Sequence, residues 1–438
     1  FGAEETIFSG IRQFRAAHTM VVSIDGEICR YERYWRPLYD RSLGELPRQE
    51  VVERLREHLE RSVIMRMRSD VPVTACLSGG LDSSTLVALI TRLNRQTGAG
   101  IDAAISVRFP DDPAIDEGWY IDHVLARTGV GGHVVTPSAA DLSRDVRRLH
   151  WHHETIIPGP SMYLEWAVMR RARELGYKVI IDGQGGDEVL AGYQIYLQAY
   201  QAELYDSGAR AQAFWIGWLR DRRLRKFAKR YRDAERRVSL RDSMKRRQLQ
   251  IFYSSHIQDM LRAYGGDDLP DPNTAGALRF ELAINLLRTS LPSNVCSGDR
   301  NSMAHGIESR FPFLDYELVD FATRLPDWAY LDRGWGKYIL RQAMLDDLPE
   351  EIVWRVDKVG FAAPQDRWVM DPGLKAWVEE RIFDPSLTAI QGYDRAALED
   401  KWTRHRDGRL DFSWELWRWA SAAELLDMAR LGIWRNGV

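Results

Sequence analysis

Residues 71–84 read Val71-Pro72-Val73-Thr74-Ala75-Cys76-Leu77-Ser78-Gly79-Gly80-Leu81-Asp82-Ser83-Ser84. The apolar run at the start of this stretch is rich in β-branched side chains and predicts a buried strand. Ser-Gly-Gly then predicts a tight turn, and the apolar residues after Asp82 predict a helix. A glycine turn that opens a helix points backbone N–H groups at a bound anion. The stretch therefore predicts a strand, an anion-binding loop and a helix, in that order.

The side chains of this loop extend the prediction to phosphate. Ser78, Ser83 and Ser84 supply hydroxyl donors, and Asp82 can hold a magnesium ion against phosphate oxygens. The chain contains neither the GxxxxGK(S/T) pattern of P-loop enzymes nor the GxGxxG pattern of dinucleotide-binding folds. The alternative is an ordinary glycine-rich turn without a ligand.

Strands alternate with helices in the first half of the chain. Strands are predicted at residues 71–76, 103–109, 133–136 and 177–181, and helices at residues 50–67, 117–127, 142–150 and 162–175. This alternation predicts an α/β fold with a doubly wound parallel sheet. Strand patterns stop after Tyr193, and the remainder is expected to be mostly helical.

A second glycine-rich loop, Asp182-Gly183-Gln184-Gly185-Gly186-Asp187-Glu188, follows the strand predicted at residues 177–181. Ligands of a doubly wound sheet bind beyond the carboxyl ends of its strands, where the two loops would bring Asp82 and Asp187 together. Single carboxylates of this kind suit magnesium, which takes few protein oxygens and also binds its substrate's phosphates. Lys358 offers a compact positive charge for a departing pyrophosphate, with an ordinary surface lysine as the alternative.

Composition excludes several classes of protein. The 438 residues, 45% of them hydrophobic, are enough for two domains or for an α/β domain with a helical one. The net charge of −3 does not suggest wholesale nucleic-acid binding, and the arginine-rich residues 209–250 are expected to form a solvated or interdomain helix face. No apolar run approaches the length of a membrane span. Cys29, Cys76 and Cys296 are far apart and form no CxxC pair, so a reducing cytoplasm is expected.

The Ser-Gly-Gly-x-Asp-Ser loop resembles the pyrophosphate loop of the N-type ATP pyrophosphatases, which split ATP into AMP and pyrophosphate. Further stretches resemble the synthetase domain of glutamine-dependent asparagine synthetases, in the family's order and over nearly the whole chain. They are residues 182–193, 303–315, 337–341 (Lys-Tyr-Ile-Leu-Arg) and 354–361 (Trp-Arg-Val-Asp-Lys-Val-Gly-Phe). The resemblance implies an ATP-pyrophosphatase α/β fold with a largely helical C-terminal part.

The resemblance also implies a division into parts. Residues 1–45 would be a linker and remnant of a glutaminase-side region, residues 46–205 the ATP-pyrophosphatase core, and residues 206–438 the mainly helical part that completes the synthetase domain. The chain opens on Phe1, where the family's linker would be, and lacks the family's N-terminal cysteine nucleophile. We therefore expect either a fragment of a longer protein, or ammonia supplied from solution or by a partner. The sequence leaves open whether the protein forms a homodimer.

Site residues are carried over from the matching motifs. ATP and pyrophosphate would be bound by Leu77, Ser78, Gly79, Gly80, Asp82, Ser83, Ser84, Val107, Asp182 and Gly183. The catalytic residues would be Gln184, Asp187, Glu188 and Lys358, and magnesium would be held by Asp82 and Asp187. Glu308 and Arg310 are expected near the acceptor carboxylate, with a structural ion pair as the alternative.

The leading hypothesis is an amide-forming ligase that adenylates a carboxylate and transfers ammonia to it. L-aspartate is the expected carboxylate, giving asparagine. The alternatives are amidotransferases of secondary metabolism, β-lactam synthetases and lasso-peptide cyclases, which activate other carboxylates in the same way. A tRNA-modifying enzyme is disfavoured because the paired cysteines of its thiolases are missing. A silent ATP-binding scaffold would be expected to lose Ser78, Asp82 or Asp187, and all three are present.

Gln184 departs from the family, whose asparagine synthetases typically carry glutamate at this position. An amide cannot act as a base near neutral pH. Either another group removes the proton of the attacking amine, with Glu154 and Glu188 nearest by motif, or the amine itself differs. The alternative is that Gln184 merely shapes the loop.

Overall fold

The computed structural model describes residues 6–98, 100–230, 256–257, 259–260, 262, 269–356 and 362–433, without the side chains of residues 95–97, 221 and 223–230. An antiparallel hairpin comes first, formed by β1 (His18–Val22) and β2 (Ile28–Arg33). Within the described residues, no helix combines the length and the apolar character needed to cross a bilayer.

A five-stranded parallel sheet positions the site. Its strands are β3 (Val73–Cys76), β4 (Ala103–Val107), β5 (Gly131–Val135), β6 (Val179–Ile181) and β7 (Glu308–Arg310). Their spatial order is β5-β4-β3-β6-β7. The chain therefore adds β4 and β5 on one side of β3, and then β6 and β7 on the other side of β3. The direction of winding therefore changes between β3 and β6, where a doubly wound sheet opens its ligand crevice. The two glycine-rich loops follow these two strands.

Helices cover both faces of the sheet, as the predicted fold class requires. The helices of this part are α1 (Arg48–Arg66), α2 (Leu81–Thr97), α3 (Gly118–Thr128), α4 (Ala139–His153), α5 (Met162–Glu174) and α6 (Gly186–Leu190). Side chains alternate between the faces of a strand. Ala75 and Ile181 accordingly pack in the core that contains α1 and α2, whereas Ile105 and Ile180 pack in the core that contains α5. The α/β fold is thus confirmed.

Short and medium-length helices make up most of the rest. They are α7 (Gln194–Asp206), α8 (Arg210–Arg230), α9 (Pro272–Ala275), α10 (Ala277–Leu287), α11 (Ser290–Met303), α12 (Tyr316–Ala322), α13 (Asp327–Tyr330), α14 (Tyr338–Ala343), α15 (Glu350–Val353), α16 (Gln365–Trp368), α17 (Pro372–Ile382), α18 (Arg395–Arg406) and α19 (Ser413–Arg430). A small antiparallel pair, β8 (Leu331–Asp332) with β9 (Trp335–Gly336), lies between α13 and α14. A largely helical C-terminal part is therefore confirmed, while the domain boundaries remain a prediction.

The expectation that strands end at Tyr193 is wrong. β7 pairs with β6 along its full length, and the backbone N–H of Asp182 donates to Arg310 O at 2.9 Å. Residues 308–310 read Glu-Ser-Arg, which gives no alternating apolar pattern. An edge strand of three residues pairs on one side only. Residues 308–310 therefore form a strand because they pair with β6, and not because of a strand pattern in their own sequence.

Candidate active site

The first glycine-rich loop is held closed by its own serines. Ser78 N donates to Ser83 Oγ at 3.1 Å, and Gly80 N donates to Ser78 Oγ at 3.3 Å. The Ser83 hydroxyl donates in turn to Gly80 O at 3.3 Å. The sequence of turn and helix thus folds as predicted, with Ser78, Gly80 and Ser83 at the N-terminus of α2. Phosphate oxygens suit this end of a helix, because its first N–H groups have no partner within the helix.

Glycine at position 79 is required by close packing as well as by the turn. Its φ is +67°, and a Cβ there would lie 2.6 Å from Cβ of Tyr120. The loop therefore rests directly on α3. Gly79 O also accepts a hydrogen bond from Nη1 of Arg355 at 3.0 Å, which ties the loop to the C-terminal part.

The second glycine-rich loop lies against the first. A Cβ on Gly183 would come within 3.1 Å of Ser83 N, and one on Gly186 within 2.8 Å of the Asp82 carboxyl. Asp182 Oδ1 accepts a hydrogen bond from Gln184 N at 3.0 Å, which closes the turn into α6. The two loops meet beyond the carboxyl ends of β3 and β6, as the sequence predicts.

Asp82 and Asp187 converge on one cation. Nζ of Lys337 contacts Oδ2 of Asp82 and lies 2.7 Å from Oδ1 of Asp187. Lys337 is 4% exposed and has φ of +51°, in the left-handed region that an L-residue adopts at a cost. The β8–β9 turn delivers it to this position. This lysine was missed as a site residue, although the Lys-Tyr-Ile-Leu-Arg stretch containing it was recognised, because its contacts are known only from the fold.

The carboxylate pair fits magnesium. Two carboxylates already aimed at one positive charge, beside an anion-binding helix end, form the kind of oxygen set that this ion shares with phosphates. No group of three or more His, Cys, Asp or Glu side chains with the geometry of a metal site occurs in the described parts of the chain.

A cavity of about 480 Å³ opens above both loops. Its walls include most of the predicted site residues: Leu77, Ser78, Gly80, Asp82, Ser83, Val107, Asp182, Gly183, Gln184 and Asp187. A second hollow of about 260 Å³ shares Asp82 and Asp187 with it and is lined by Lys337, Arg341 and Arg355. The structure thus gathers carboxylates, hydroxyls and cationic side chains around two hollows that share Asp82 and Asp187.

Three of the four remaining ATP-binding and catalytic candidates are not part of that lining. Gly79 is covered by α3, and Ser84 is fully buried within α2. Glu188 is 1% exposed and accepts hydrogen bonds from Tyr193 Oη at 2.8 Å and Ser290 Oγ at 2.6 Å. These contacts hold the Glu188 side chain beneath the second glycine-rich loop. The fourth, Lys358, lies outside the described residues.

The two acceptor-side candidates pair with each other. Nε of Arg310 donates to Oε1 of Glu308 at 2.7 Å, and its Nη1 donates to the carbonyl oxygens of Arg66 and Arg68 at 2.6 and 2.8 Å. Neither residue lines the cavity. This geometry is the ion pair that stood as the structural alternative, and it anchors β7 to the end of α1.

Glu154, one of the two carboxylates considered as a base, also lies elsewhere. It pairs with Nη1 of Arg300 at 2.7 Å and is absent from the cavity walls. Glu165 of α5 lines the cavity instead. The sequence analysis did not predict Glu165 as a site residue. A glutamate inside the apolar run Leu164–Met169 could have indicated it, because acidic side chains are seldom buried without a specific role.

Burial and neighbouring charge set the ionisation of this carboxyl. Desolvation and the nearby Asp182 raise the pKa of Glu165 to about 8. Burial also raises the pKa of Asp182, against hydrogen bonds from Cys76 and from the backbone of Gln184 and Gly183. A carboxyl that titrates near neutral pH inside a cavity is typical of functional sites.

Comparisons with known proteins agree with this architecture. The model of the family described as asparagine synthase matches residues 54–431. A putative glutamine-hydrolysing asparagine synthetase of Mycobacterium tuberculosis is 27% identical over 94% of the chain and 63% of its own length. The glutamine-hydrolysing asparagine synthetase 1 of Bacillus subtilis is 23% identical over 94% of the chain and 64% of its own.

A fungal protein of a different name is equally similar. The amidase chyE of Penicillium rubens is 25% identical over 90% of the chain and 64% of its own length. The chain therefore spans less than two thirds of the length of these curated relatives. Because the family match covers most of the chain and includes both glycine-rich loops, the chain belongs to the asparagine synthase family.

Proposed function

We propose that this chain is an ATP-dependent amide-forming ligase that adenylates a carboxylate, releases pyrophosphate and passes the acyl group to ammonia, with AMP as the second product. The observation that carries the proposal is the convergence of Asp82 and Asp187 on one cation beside the Ser78–Ser83 loop. A triphosphate on the loop places its β- and γ-phosphates at the N-terminus of α2. Asp82 and Asp187 would hold magnesium, which would supply charge neutralisation for the phosphates.

The residues of the chain then bind and orient the reactants. Backbone N–H groups and the hydroxyls of Ser78 and Ser83 hold the phosphates in line for attack by a carboxylate oxygen at the α-phosphorus. Lys337 supplies positive charge where the pyrophosphate forms. Positioning and charge neutralisation of this kind account for most of the rate in phosphoryl-group chemistry.

Gln184 lines the cavity but has no basic group. It can orient the acyl-adenylate by hydrogen bonding while another acceptor takes the proton from the amine. L-aspartate with ammonia is the leading substrate pair. By the resemblance, Lys358 would assist pyrophosphate departure, and the nitrogen would come from solution or from a glutaminase region or partner.

A second candidate keeps the chemistry and changes the carboxylate. The amidase name of the Penicillium rubens relative, together with Gln184, favours an amidotransferase of secondary metabolism. A panel of carboxylates separates the two candidates.

The test is product analysis. The chain with ATP, magnesium, ammonium and each member of a carboxylate panel should release AMP and pyrophosphate with the right carboxylate only. Formation of ADP and phosphate would refute the proposal. An Asp187→Asn variant serves as the control for contaminating ATPases, because any activity that it retains in full does not arise at this site.

A further inference from the structure

The peptide unit between Gly79 and Gly80 is flanked by glycine on both sides. Gly79 has φ of +67°, and Gly80, the residue before α2, has φ of −76°. Glycine adopts positive and negative φ about equally readily, so a peptide between two glycines can turn over at little backbone cost. The orientation of this peptide in the first glycine-rich loop is therefore set by its contacts.

The observed orientation of this peptide suits an anion. In a trans peptide the carbonyl oxygen and the N–H point in opposite directions. Gly79 O accepts a hydrogen bond from Nη1 of Arg355 at 3.0 Å, and on the opposite side Gly80 N donates to Ser78 Oγ at 3.3 Å. Ser78 and Gly80 both line the main cavity. Turning the peptide over would bring a carbonyl oxygen to that side, where its partial negative charge would repel phosphate.

Arg355 reaches Gly79 O from a buried position with two further contacts. It is 6% exposed, its Nη2 contacts Oε1 of Glu117, and its Cζ lies 3.7 Å from the centroid of the Tyr120 ring. A planar guanidinium can donate to two partners at once while it stacks on an aromatic ring. The carboxylate and the ring therefore set the direction from which Nη1 meets Gly79 O.

The partners of Arg355 are themselves held in place. Glu117 is the residue before α3, and Tyr120 lies in the first turn of that helix. Arg355 O accepts a hydrogen bond from Nη1 of Arg341 at 3.5 Å, and the Arg341 guanidinium lies 4.8 Å from the centroid of the Trp335 ring. Arg355 is thus fixed by the α/β part through its side chain and by the C-terminal part through its backbone.

We propose that Arg355 is a positioning residue that holds the Gly79–Gly80 peptide in its anion-binding orientation, so that the first glycine-rich loop can receive the pyrophosphate end of ATP. The inference rests on the proposed function, because that function places the phosphates on this loop. Arg355 acts through the loop backbone and needs no contact with the nucleotide. Glu117 and Tyr120 support it by fixing the guanidinium.

A direct contact between Arg355 and phosphate is the competing role, because Arg355 also lines the second hollow. The two roles predict opposite effects of Glu117→Gln. If Arg355 positions the loop, loss of the carboxylate loosens the guanidinium and the anion binds more weakly. If Arg355 binds phosphate itself, removal of a competing carboxylate leaves the anion bound as tightly as before or more tightly.

The test measures binding of the two halves of ATP, so the unknown carboxylate is not needed. The chain and its variants are titrated calorimetrically with magnesium pyrophosphate, with AMP, and with ATP plus magnesium. Arg355→Met should weaken pyrophosphate and ATP binding by about tenfold or more, the size expected when a hydrogen bond to a charged group is lost, while AMP binding changes by less than about threefold. Glu117→Gln should weaken pyrophosphate binding by about three- to tenfold.

Two further variants separate positioning from charge and from general destabilisation. Arg355→Lys keeps the charge but lacks the planar pair of donors, so its pyrophosphate affinity should stay within about threefold of that of Arg355→Met. Arg381→Met is the matched control, because Arg381 is 8% exposed and donates to Oε2 of Glu424 at 2.7 Å, outside both hollows. It should lower the melting temperature and leave all three affinities unchanged. If Arg355→Met does not fold, Glu117→Gln and Arg355→Lys decide the question.

Three results would overturn the role of Arg355 alone. They are a pyrophosphate affinity that stays level or rises in Glu117→Gln, recovery of the wild-type affinity in Arg355→Lys, and an equal loss of AMP and pyrophosphate affinity in Arg355→Met. Failure of the wild-type chain to bind either pyrophosphate or ATP would refute the proposed function with it.

Discussion

Lys337 Nζ lies 2.7 Å from Oδ1 of Asp187, so a residue of the C-terminal part completes the charge balance of a loop in the α/β part. The same ammonium contacts Asp82. One buried lysine thus offsets part of the negative charge of two carboxylates that the sequence predicts to hold a metal. The proposed magnesium site and the lysine that pairs with its two carboxylates are therefore linked.

Lys337→Met should expose this linkage in the free energy of unfolding. Without the ammonium, the buried carboxylate of Asp82 and the partly exposed carboxylate of Asp187 repel each other, and the loss should be about 3–5 kcal/mol. Magnesium should restore part of it, so the rise in melting temperature on adding magnesium should be larger in the variant than in the wild-type chain. Lys401→Met, which removes a more exposed lysine paired with Glu415, should cost only about 0–1 kcal/mol and leave the magnesium response unchanged. Equal magnesium responses in all three chains would contradict the shared site.

Asp187→Asn should separate nucleotide binding from its metal dependence. The variant keeps the shape of the side chain but loses one anionic ligand, so magnesium should no longer strengthen ATP binding as it does in the wild-type chain. Calorimetric titrations with and without magnesium measure the difference. Asp122→Asn, at a carboxyl that is 61% exposed and pairs with Arg108, provides the matched control. An undiminished magnesium effect in Asp187→Asn would rule out this aspartate as a ligand.

Gly79→Ala should be much more costly than Gly129→Ala. Both glycines have positive φ, +67° and +74°, so both variants carry the backbone strain of about 1 kcal/mol. Only at position 79 does the new methyl group meet a neighbour, Cβ of Tyr120 at 2.6 Å, whereas at position 129 nothing lies within 4 Å. Urea unfolding should therefore show an excess loss in Gly79→Ala of about 1–3 kcal/mol. Equal losses would mean that α3 moves aside at no cost.

Glu165→Gln should flatten the dependence of stability on pH. The carboxyl has a pKa of about 8 when folded and near 4.5 when exposed, so between these values the folded chain holds a proton that the unfolded chain has released. Stability contributed at low pH is therefore lost as pH rises through this window, by up to about 1.4 kcal/mol per unit. The glutamine variant lacks this loss, so urea unfolding at pH values from about 5.5 to about 8 should show a shallower slope. An unchanged slope would place the proton on another group.

Gln184→Glu tests the proton transfer once a carboxylate substrate is in hand. If removal of the amine proton limits the second step, a carboxylate here should speed amide formation with ammonia and shift its pH optimum downward. Adenylate formation, followed separately by pyrophosphate release, should stay unchanged. Unaltered rates and pH profile in both steps would show that Gln184 only shapes its loop.

Local patterns predicted the elements that carry the chemistry. The strand, glycine turn and helix around Ser78 follow from residue types a few positions apart, and so does the turn at Asp182. Their meeting point follows from the rule for doubly wound sheets. Each of those features is encoded within about 15 residues, which is the length over which hydrophobic periodicity predicts secondary structure.

The residues that were missed depend on distant parts of the chain. Lys337 reaches Asp82 because the β8–β9 turn places it there. The sequence of that turn shows no periodic pattern of apolar residues that would predict it. Glu165 becomes notable only when Asn301 takes one of its oxygens and leaves the other. Side-chain partnerships of this kind are set by packing between elements, so a single sequence does not reveal them.

The position of β7 has a consequence for biosynthesis. The strand at residues 308–310 pairs with β6, which ends at residue 181, so the sheet is incomplete until more than a hundred further residues have left the ribosome. Until then β6 presents an open edge, and open edges invite pairing with other chains. Nascent chains arrested before residue 308 should therefore aggregate or recruit chaperones, whereas chains arrested beyond β7 can close the sheet, and with it the backbone bond that anchors the second glycine-rich loop.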